Sequence, residues 1–554
     1  MDGMNRKETI IKFTAAAIAA YFAYASLAPF IMNGDPRKAG TDAAGYSIIA
    51  ENIRSHKHPT DITIDNMPTN AQTIILEEAL SSGEEEKHWE TGVAPNSFVY
   101  NKNTGRISSQ YPIGTSLIMA AFDQEEEVRK TLIVSAWAVT ALFAVILAKA
   151  TRIEAVWATL GSYLITMWIT KNYITHSFSL FPSVLFMTAL GLITTDLAFN
   201  IRRGRTSSRK ERLCYVLIVF AVGTIVGLST LLRTNNILLV LPAFFGIIYS
   251  ASGGKAQLEN SHTPAEGNSD QRNFGILIPA MVFLAGITFG LVPLFVSNWI
   301  LHGDILYVNY PTYDRITNLL PGHIYANLEF FLFRSGPDSI LNWVALILML
   351  WCSSVSKKKA KAYWITSVLI LFFLGALIGT KVVVTSYYLS MVSIFYLVSA
   401  TYYIAANPTT LISSQRRGPR ALIIFASTFC ITIIPLLGFN LPATDSSAYA
   451  YDQRTHDLCI DSSIKNKVIW SNEEGGFAYL KCGLYTVRPQ RLPNNLAISI
   501  YSRLDKEGIE QYIDNETSLS LFKGFAHTPT SEEDISVGHL AFRRLVSLKT
   551  NKKD

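Results

Sequence analysis

The feature that most constrains this chain is a succession of apolar runs, each long enough to cross a bilayer as a helix. The first covers residues 13–30. Others follow near 131–149, 153–170, 178–198, 213–231, 237–251, 274–300, 338–355, 362–380, 384–405 and 421–440. About 20 apolar residues in a helix span a hydrocarbon core, and only helices or closed barrels satisfy every backbone polar group there. The pattern predicts an α-helical polytopic membrane protein with about 11 transmembrane helices. Charged residues make up 16% of the 554, well under the roughly 25% of soluble domains. The lipid bilayer is therefore the first partner. The net charge of +6 bears on how the loops are oriented, and no nucleic-acid partner is expected.

Basic residues gather in alternate loops: Arg202, Arg203, Arg205, Arg209, Lys210 and Arg212, then Lys357–Lys359 and Lys361, then Arg416, Arg417 and Arg420. All obey the positive-inside rule in one orientation only, which makes the N-terminus cytoplasmic. Ala23-Tyr24-Ala25 has the form of a signal cleavage site, but the apolar run continues through Ile31, so an uncleaved first helix is expected. Residues 1–440 then form a transmembrane region, with a large first external loop at 31–130 carrying interfacial helices. Residues 441–554 form a small α+β C-terminal external domain. Its strands are expected at 467–470, 496–501 and 539–542, with a helix near 506–513. Cys459 and Cys482 are the only cysteines in a water-facing domain, and an oxidising compartment would pair them as a disulfide.

No phosphate-cradling glycine loop, paired CxxC, HExxH or nucleophile elbow occurs in the chain. The polar residues with chemistry to offer fall on the external side. Asp35 and Asp42 follow the first apolar run. After Asp42, residues Tyr46, Ile49 and Ile53 recur at helical spacing, so an amphipathic helix is expected along the membrane surface. A carboxylate there serves equally as a helix cap or as a base. Tyr111-Pro112-Ile113-Gly114 leads into an apolar stretch, with a helix start expected after the proline. His176 lies between the third and fourth external-side span ends. Arg233 closes a span within Leu-Leu-Arg-Thr-Asn-Asn, and Lys381 lies between two later spans. Each of these cations suits either lipid head groups or a lipid-linked phosphate. Asn298, Tyr310 and Arg315 stand in or beside the 301–337 loop, where tyrosines among charges suit a sugar groove or an interfacial belt.

Together these elements resemble the GT-C superfamily of membrane glycosyltransferases, which includes protein O-mannosyltransferases and the lipid A aminoarabinose transferase. The resemblance rests on Asp42 with Gly45 and Tyr46 in the first external loop, on Tyr111-Pro112-x-Gly114, on Arg233, and on Asn298 ahead of an external loop. Many relatives have a second acidic residue next to the loop aspartate, where this chain has Ala43. The nearest other acid is Asp35, and which of the two acts stays open. The resemblance implies an inverting transfer of a sugar from a polyprenyl-phosphate-linked donor to a glycan, lipid or protein acceptor. Asp42 or Asp35 would be catalytic. Arg233 and Lys381 would hold the donor phosphate, and Tyr46, Tyr111, His176, Asn298, Tyr310 and Arg315 would meet the substrates. No cofactor is indicated, and the part of a divalent metal stays open. The bacterial inner or plasma membrane is the implied location. A polytopic transporter or flippase, or an O-antigen-type polymerase, is the competing reading. Against the first, the span centres are nearly free of ionisable residues.

Overall fold

The structure, a computed structural model, describes residues 10, 13–15, 17–18, 21, 41–59, 70–94, 98–109, 111–123, 127–150, 152–172, 179–200, 209–252, 269–307, 321–356, 358–378, 387–407, 467–471, 485–514, 530–537 and 540–546. Among these residues eight helices are long and apolar enough to cross a membrane. In chain order the elements begin with helix α1 (Thr41–Arg54) and α2 (Ala71–Ser81), then strands β1 (Phe98–Asn101) and β2 (Arg106–Ser109) and a short helix α3 (Ile113–Ala120). The bundle helices follow: α4 (Glu127–Lys149), α5 (Ile153–Asn172), α6 (Leu180–Asn200), α7 (Arg209–Leu232), α8 (Val240–Ser252) and α9 (Ser269–His302). Then come α10 (Pro321–Glu329), α11 (Pro337–Val355), α12 (Lys358–Ile378) and α13 (Tyr387–Ala406). The tail holds β3 (Val468–Trp470), β4 (Tyr485–Val487), α14 (Asn494–Lys506), β5 (Gln511–Asp514), β6 (Thr530–Val537) and β7 (Leu540–Val546).

Nine expected spans coincide with helices α4–α9 and α11–α13. Eight of them meet the length and hydropathy of a membrane span; α5, with Thr159, Ser162, Thr166 and Thr170 along it, is less apolar than the rest. Residue 15 of the first run, Ala15, is buried in the same core as Phe143 and Tyr163. The last expected span, 421–440, and the cysteines Cys459 and Cys482 lie outside the described residues.

The bundle is built around α13. Its sequence, YYLSMVSIFYLVSATYYIAA, is apolar on every face, as befits a helix surrounded by others. It is 94% buried. Small hydroxyls along it reach each neighbour. Ser390 donates to Asp338 of α11, and Ser393 donates to Asn342 Oδ1 of α11 at 2.6 Å. Ser399 donates to the Gly191 carbonyl of α6 at 3.2 Å, and Thr401 bonds Ser162 of α5 at 2.7 Å. At its far end Tyr402 bonds Asp196 of α6 and accepts from Lys149 Nζ of α4 at 2.6 Å.

Helices α7 and α9 pack differently, backbone against backbone at two pairs of glycines. A Cβ on Gly223 would stand 2.3 Å from the Phe283 carbonyl oxygen, and one on Gly227 would stand 2.5 Å from that of Ile287. From the other side, a Cβ on Gly286 or Gly290 would meet the carbonyls of Phe220 or Thr224 at 2.3 Å. Two glycines four residues apart on each helix are what lets backbones touch in a membrane. Gly223 lies by Gly286 and Gly227 by Gly290, so the two helices run parallel. Their far ends, at Leu232 and His302, therefore point the same way.

Outside the bundle, the first loop and the tail share one core. Ile75 of α2, Trp89 and Phe98 of β1 are buried with Val468 and Trp470 of β3 and with Ile500 and Leu504 of α14. The sheet has the order β4–β3–β5–β7–β6, with β3 parallel to both β4 and β5 and β7 antiparallel to β5 and β6. Polar links cross between loop and tail. Tyr485 Oη donates to the Val93 carbonyl at 2.5 Å, and the Arg488 amide donates to the Gly92 carbonyl at 2.8 Å. On the surface, Arg503 pairs with Glu78 at 3.1 Å and Glu77 at 2.8 Å, while Ser499 donates to Glu78.

Two expectations for the tail are corrected. Residues 496–501 are helical, not a strand, because Leu496, Ile500 and Leu504 line one face of α14. The helix expected near 506–513 is instead the end of α14 at Lys506, a left-handed Gly508 (φ +70°) and strand β5. Strands at 468–470 and 540–546 fall where the pattern puts them.

Two outcomes test this packing. Gly227→Val or Gly290→Val should lower the unfolding free energy by about 1–3 kcal/mol through overpacking, while Leu277→Ala on the exposed face of α9 should change it little. Unfolding of the purified protein in mixed micelles measures both. The second concerns pH. The Ser499 hydroxyl, and after it the Arg503 guanidinium, hold Glu78 below the usual carboxylate range. A depressed carboxylate stabilises the fold above its ordinary pKa of 4.5, and that support is lost as pH falls through the lowered value. Thermal stability should therefore decline as pH falls below 4.5, with a shallower slope in Glu78→Gln.

Candidate functional site

The site is built where the first loop meets the bundle. Of the apolar residues expected to share a face of α1, Tyr46 and Ile49 are buried and Ile53 is half-buried; Ala50 is buried with them, and Glu51 is exposed. Two polar residues that the spacing places on other faces are also spent on the protein. Asn52 donates to the Pro59 carbonyl at 3.2 Å, and Arg54 reaches Glu127 at 2.5 Å. Asp42 stands in the first turn of α1, four positions ahead of Tyr46; its side chain is outside the described residues, as are Asp35, His176, Tyr310, Arg315 and Lys381.

Tyr46 packs against Tyr111, ring centroids 4.7 Å apart and planes tilted by 34°. Extended Pro112 (φ −63°, ψ 146°) starts α3, as predicted, because its missing N–H costs nothing at a helix start. In the first turn of α3, Gly114 presses on the end of α7. A Cβ there would stand 2.5 Å from the Leu231 carbonyl oxygen, so only glycine fits.

Two residues beyond Leu231 comes Arg233. Of the two readings open for it, burial speaks against the one that sets it among lipid head groups: the residue is 8% exposed, in extended conformation (φ −151°, ψ 124°) between α7 and a 3-10 turn at Thr234–Leu239. Its Nη1 donates to Ser179 Oγ at 3.1 Å, at the start of α6. Asn236, fully buried, donates to Ser183 Oγ at 3.2 Å and to the Ser229 carbonyl at 2.8 Å. Hydroxyls and a guanidinium with five N–H donors thus line the end of the bundle beneath α3. Sequence reasoning passed over Asn236, Ser179 and Ser183. Their signal was polar residues next to Arg233 and at the start of a span.

Asn298 goes elsewhere. Its amide donates to the Ile305 and Tyr307 carbonyls at 3.2 and 3.1 Å, shaping the turn after α9. Beside it His302 is buried, stacked on Tyr307 at 4.0 Å, and held by Asn101 Nδ2, 3.3 Å from both its Nδ1 and its carbonyl. The β1–β2 hairpin, closed by left-handed Gly105 (φ +67°), so docks the α+β domain on the end of α9. Burial, with Glu90 nearby, holds Tyr307 well above the usual phenol range. Among the described residues, no three of His, Cys, Asp and Glu gather as a metal ion would require.

The fold defines a polytopic α-helical membrane protein whose first loop and tail make an α+β domain at one end of the bundle. The basic residues Lys210 and Arg212 of α7 and Lys358, Lys359 and Lys361 of α12 stand at the other end. No family model matches the chain, and no curated protein sequence matches it.

The contact of α3 with α7 is open to measurement. A cysteine at fully buried Ser116 should resist a water-soluble maleimide in the native protein. Gly114→Val should raise its reaction rate by about tenfold, the factor that roughly 1.4 kcal/mol of local destabilisation gives.

Proposed function

We propose that this protein is an inverting glycosyltransferase of the GT-C kind, moving a sugar from a polyprenyl-phosphate donor to a cell-envelope acceptor at the external membrane face. The observation that carries the reading is the meeting of three separate sequence elements. Tyr46 of α1 packs against Tyr111, and Gly114 abuts Leu231, two residues from buried Arg233. In this reading the basic end of the bundle is cytoplasmic and the α+β domain external, in a bacterial inner or plasma membrane.

The chemistry asks little of the protein. The acceptor hydroxyl oxygen attacks the anomeric carbon, the bond from that carbon to the phosphate oxygen breaks, and the electron pair leaves on the polyprenyl phosphate. Asp42 takes the hydroxyl proton as base. Arg233, with its planar fork, and Lys381 offset the charge gathering on the departing phosphate. The apolar helices hold the isoprenoid chain.

The test is a transfer assay with labelled polyprenyl-phosphate sugar, candidate acceptors and purified full-length protein. Asp42→Asn should fold and insert normally yet lose about 10²–10⁴-fold in rate, the contribution of a positioned base. Asp35→Asn should cost much less. Arg233→Ala should impair use of the donor more than use of the acceptor. Full transfer by Asp42→Asn with none by Asp35→Asn would move the base to Asp35. Indifference to both would leave Asp42 a helix cap, and lipid translocation without transfer would favour a flippase.

A further inference from the structure

Glu127 ends an acidic run, Glu125-Glu126-Glu127, that reads in sequence as solvated loop charge. In the structure it is the first residue of α4 and is fully buried. Arg54, the last residue of α1, meets it at 2.5 Å. Ser47, on the same helix, donates to its other carboxylate oxygen. The same guanidinium donates from Nη1 to the Phe122 carbonyl at 3.0 Å and the Met119 carbonyl at 3.4 Å, at the C-terminal end of α3. One ion pair thus ties α1, α3 and α4 together. It also places an anion at a helix start and a cation at a helix end, the favourable sense for both dipoles.

A buried carboxylate is costly unless it is paired. Apolar residues would hold α1 on the bundle as firmly, so burial alone does not account for a charge here. What the pair adds is direction. The Ser47 hydroxyl on one carboxylate oxygen and the two carbonyls on Arg54 Nη1 are directed hydrogen bonds, and with the ion pair between them they permit one angle of α1 where apolar contact permits several. Asp42 lies in the same helix, five residues before Ser47.

We propose that Glu127, Arg54 and Ser47 form a positioning device that fixes the angle of α1 and so the place of the turn carrying Asp42. The proposal rests on the glycosyltransferase reading for its consequence in catalysis, and on geometry alone for the clamp. Two readouts separate these. The first needs no activity. A cysteine at fully buried Ala50 is labelled by a membrane-impermeant maleimide, against the same chain without it. The native protein should protect it. Glu127→Gln and Arg54→Met, each leaving one charge without its counter-ion, should each speed labelling by about tenfold or more. Ser47→Ala should do so less, and it serves where the charge variants fail to fold. The double variant should return toward the native rate, because a coupled pair is not additive. Equal protection in every variant, or simple additivity, overturns the clamp.

The second readout is transfer. Glu127→Gln should lower kcat and leave the donor KM unchanged, because the device aims the base and does not touch the donor. If α1 is released and transfer is unaffected, the clamp stands and the catalytic role of α1 falls. If labelling stays slow while kcat drops, Glu127 acts by another route and the positioning claim is lost.

Discussion

The bundle depends on one helix that lipid does not reach. Without water, every polar group in α13 needs a protein partner, and Ser390, Ser393, Ser399 and Thr401 find theirs on α11, α6 and α5. Hydrogen bonds of this sort in membranes contribute only about 0.6 kcal/mol each on average. Their sum is small beside the packing of Tyr396, Phe395 and the other fully buried side chains of α13. Their work is therefore register more than strength. A hydroxyl facing Asp338 cannot slide by one residue without leaving a buried carboxylate with one partner fewer.

From that centre a series of stiff contacts runs to the end of the bundle that carries the α+β domain. Glycines join α7 to α9 backbone to backbone, and at those glycines no rotamer can absorb a shift. The end of α7 presents Arg233 and receives Gly114; the end of α9 presents His302 and receives Asn101 of the hairpin. The domain and the buried polar cluster around Arg233 are thus fixed to the same pair of helices. Residues more than 100 positions apart in the chain, Gly114 with Leu231 and Asn101 with His302, keep their relative places because little in between can bend.

Some of this was legible in the sequence and some was not, for reasons that differ residue by residue. Span positions were legible, because a 20-residue apolar run has one fate in a bilayer. That α13 was the central one was not, since several runs are equally apolar and only packing ranks them. The surface helix at Tyr46, Ile49 and Ile53 showed its period, and Pro112 marked the start of α3. Arg233 stood out as a cation at a span end, but its burial depends on Ser179, more than 50 residues earlier. Glu127 was hidden by its acidic neighbours. Leu-Ala-Ile-Ser-Ile-Tyr at 496–501 alternates over six residues as a strand does, and only the continuation to Leu504 shows the helical repeat. The shared core of loop and tail had no local signal at all, because its halves lie on opposite sides of the whole bundle in sequence.

That shared core bears on how the protein is made. Ile75, Trp89 and Phe98 emerge from the ribosome early, and the partners that cover them, Val468, Trp470 and Ile500, come only after every bundle helix. Until then the first loop presents an unfinished apolar surface to its compartment, of the kind that chaperones and proteases recognise. A chain that stalls, or inserts one helix the wrong way round, leaves its tail on the wrong side and the loop bare. Closing the domain is thus a built-in check that the entire membrane region has been threaded correctly, made by the two parts of the chain synthesised furthest apart in time.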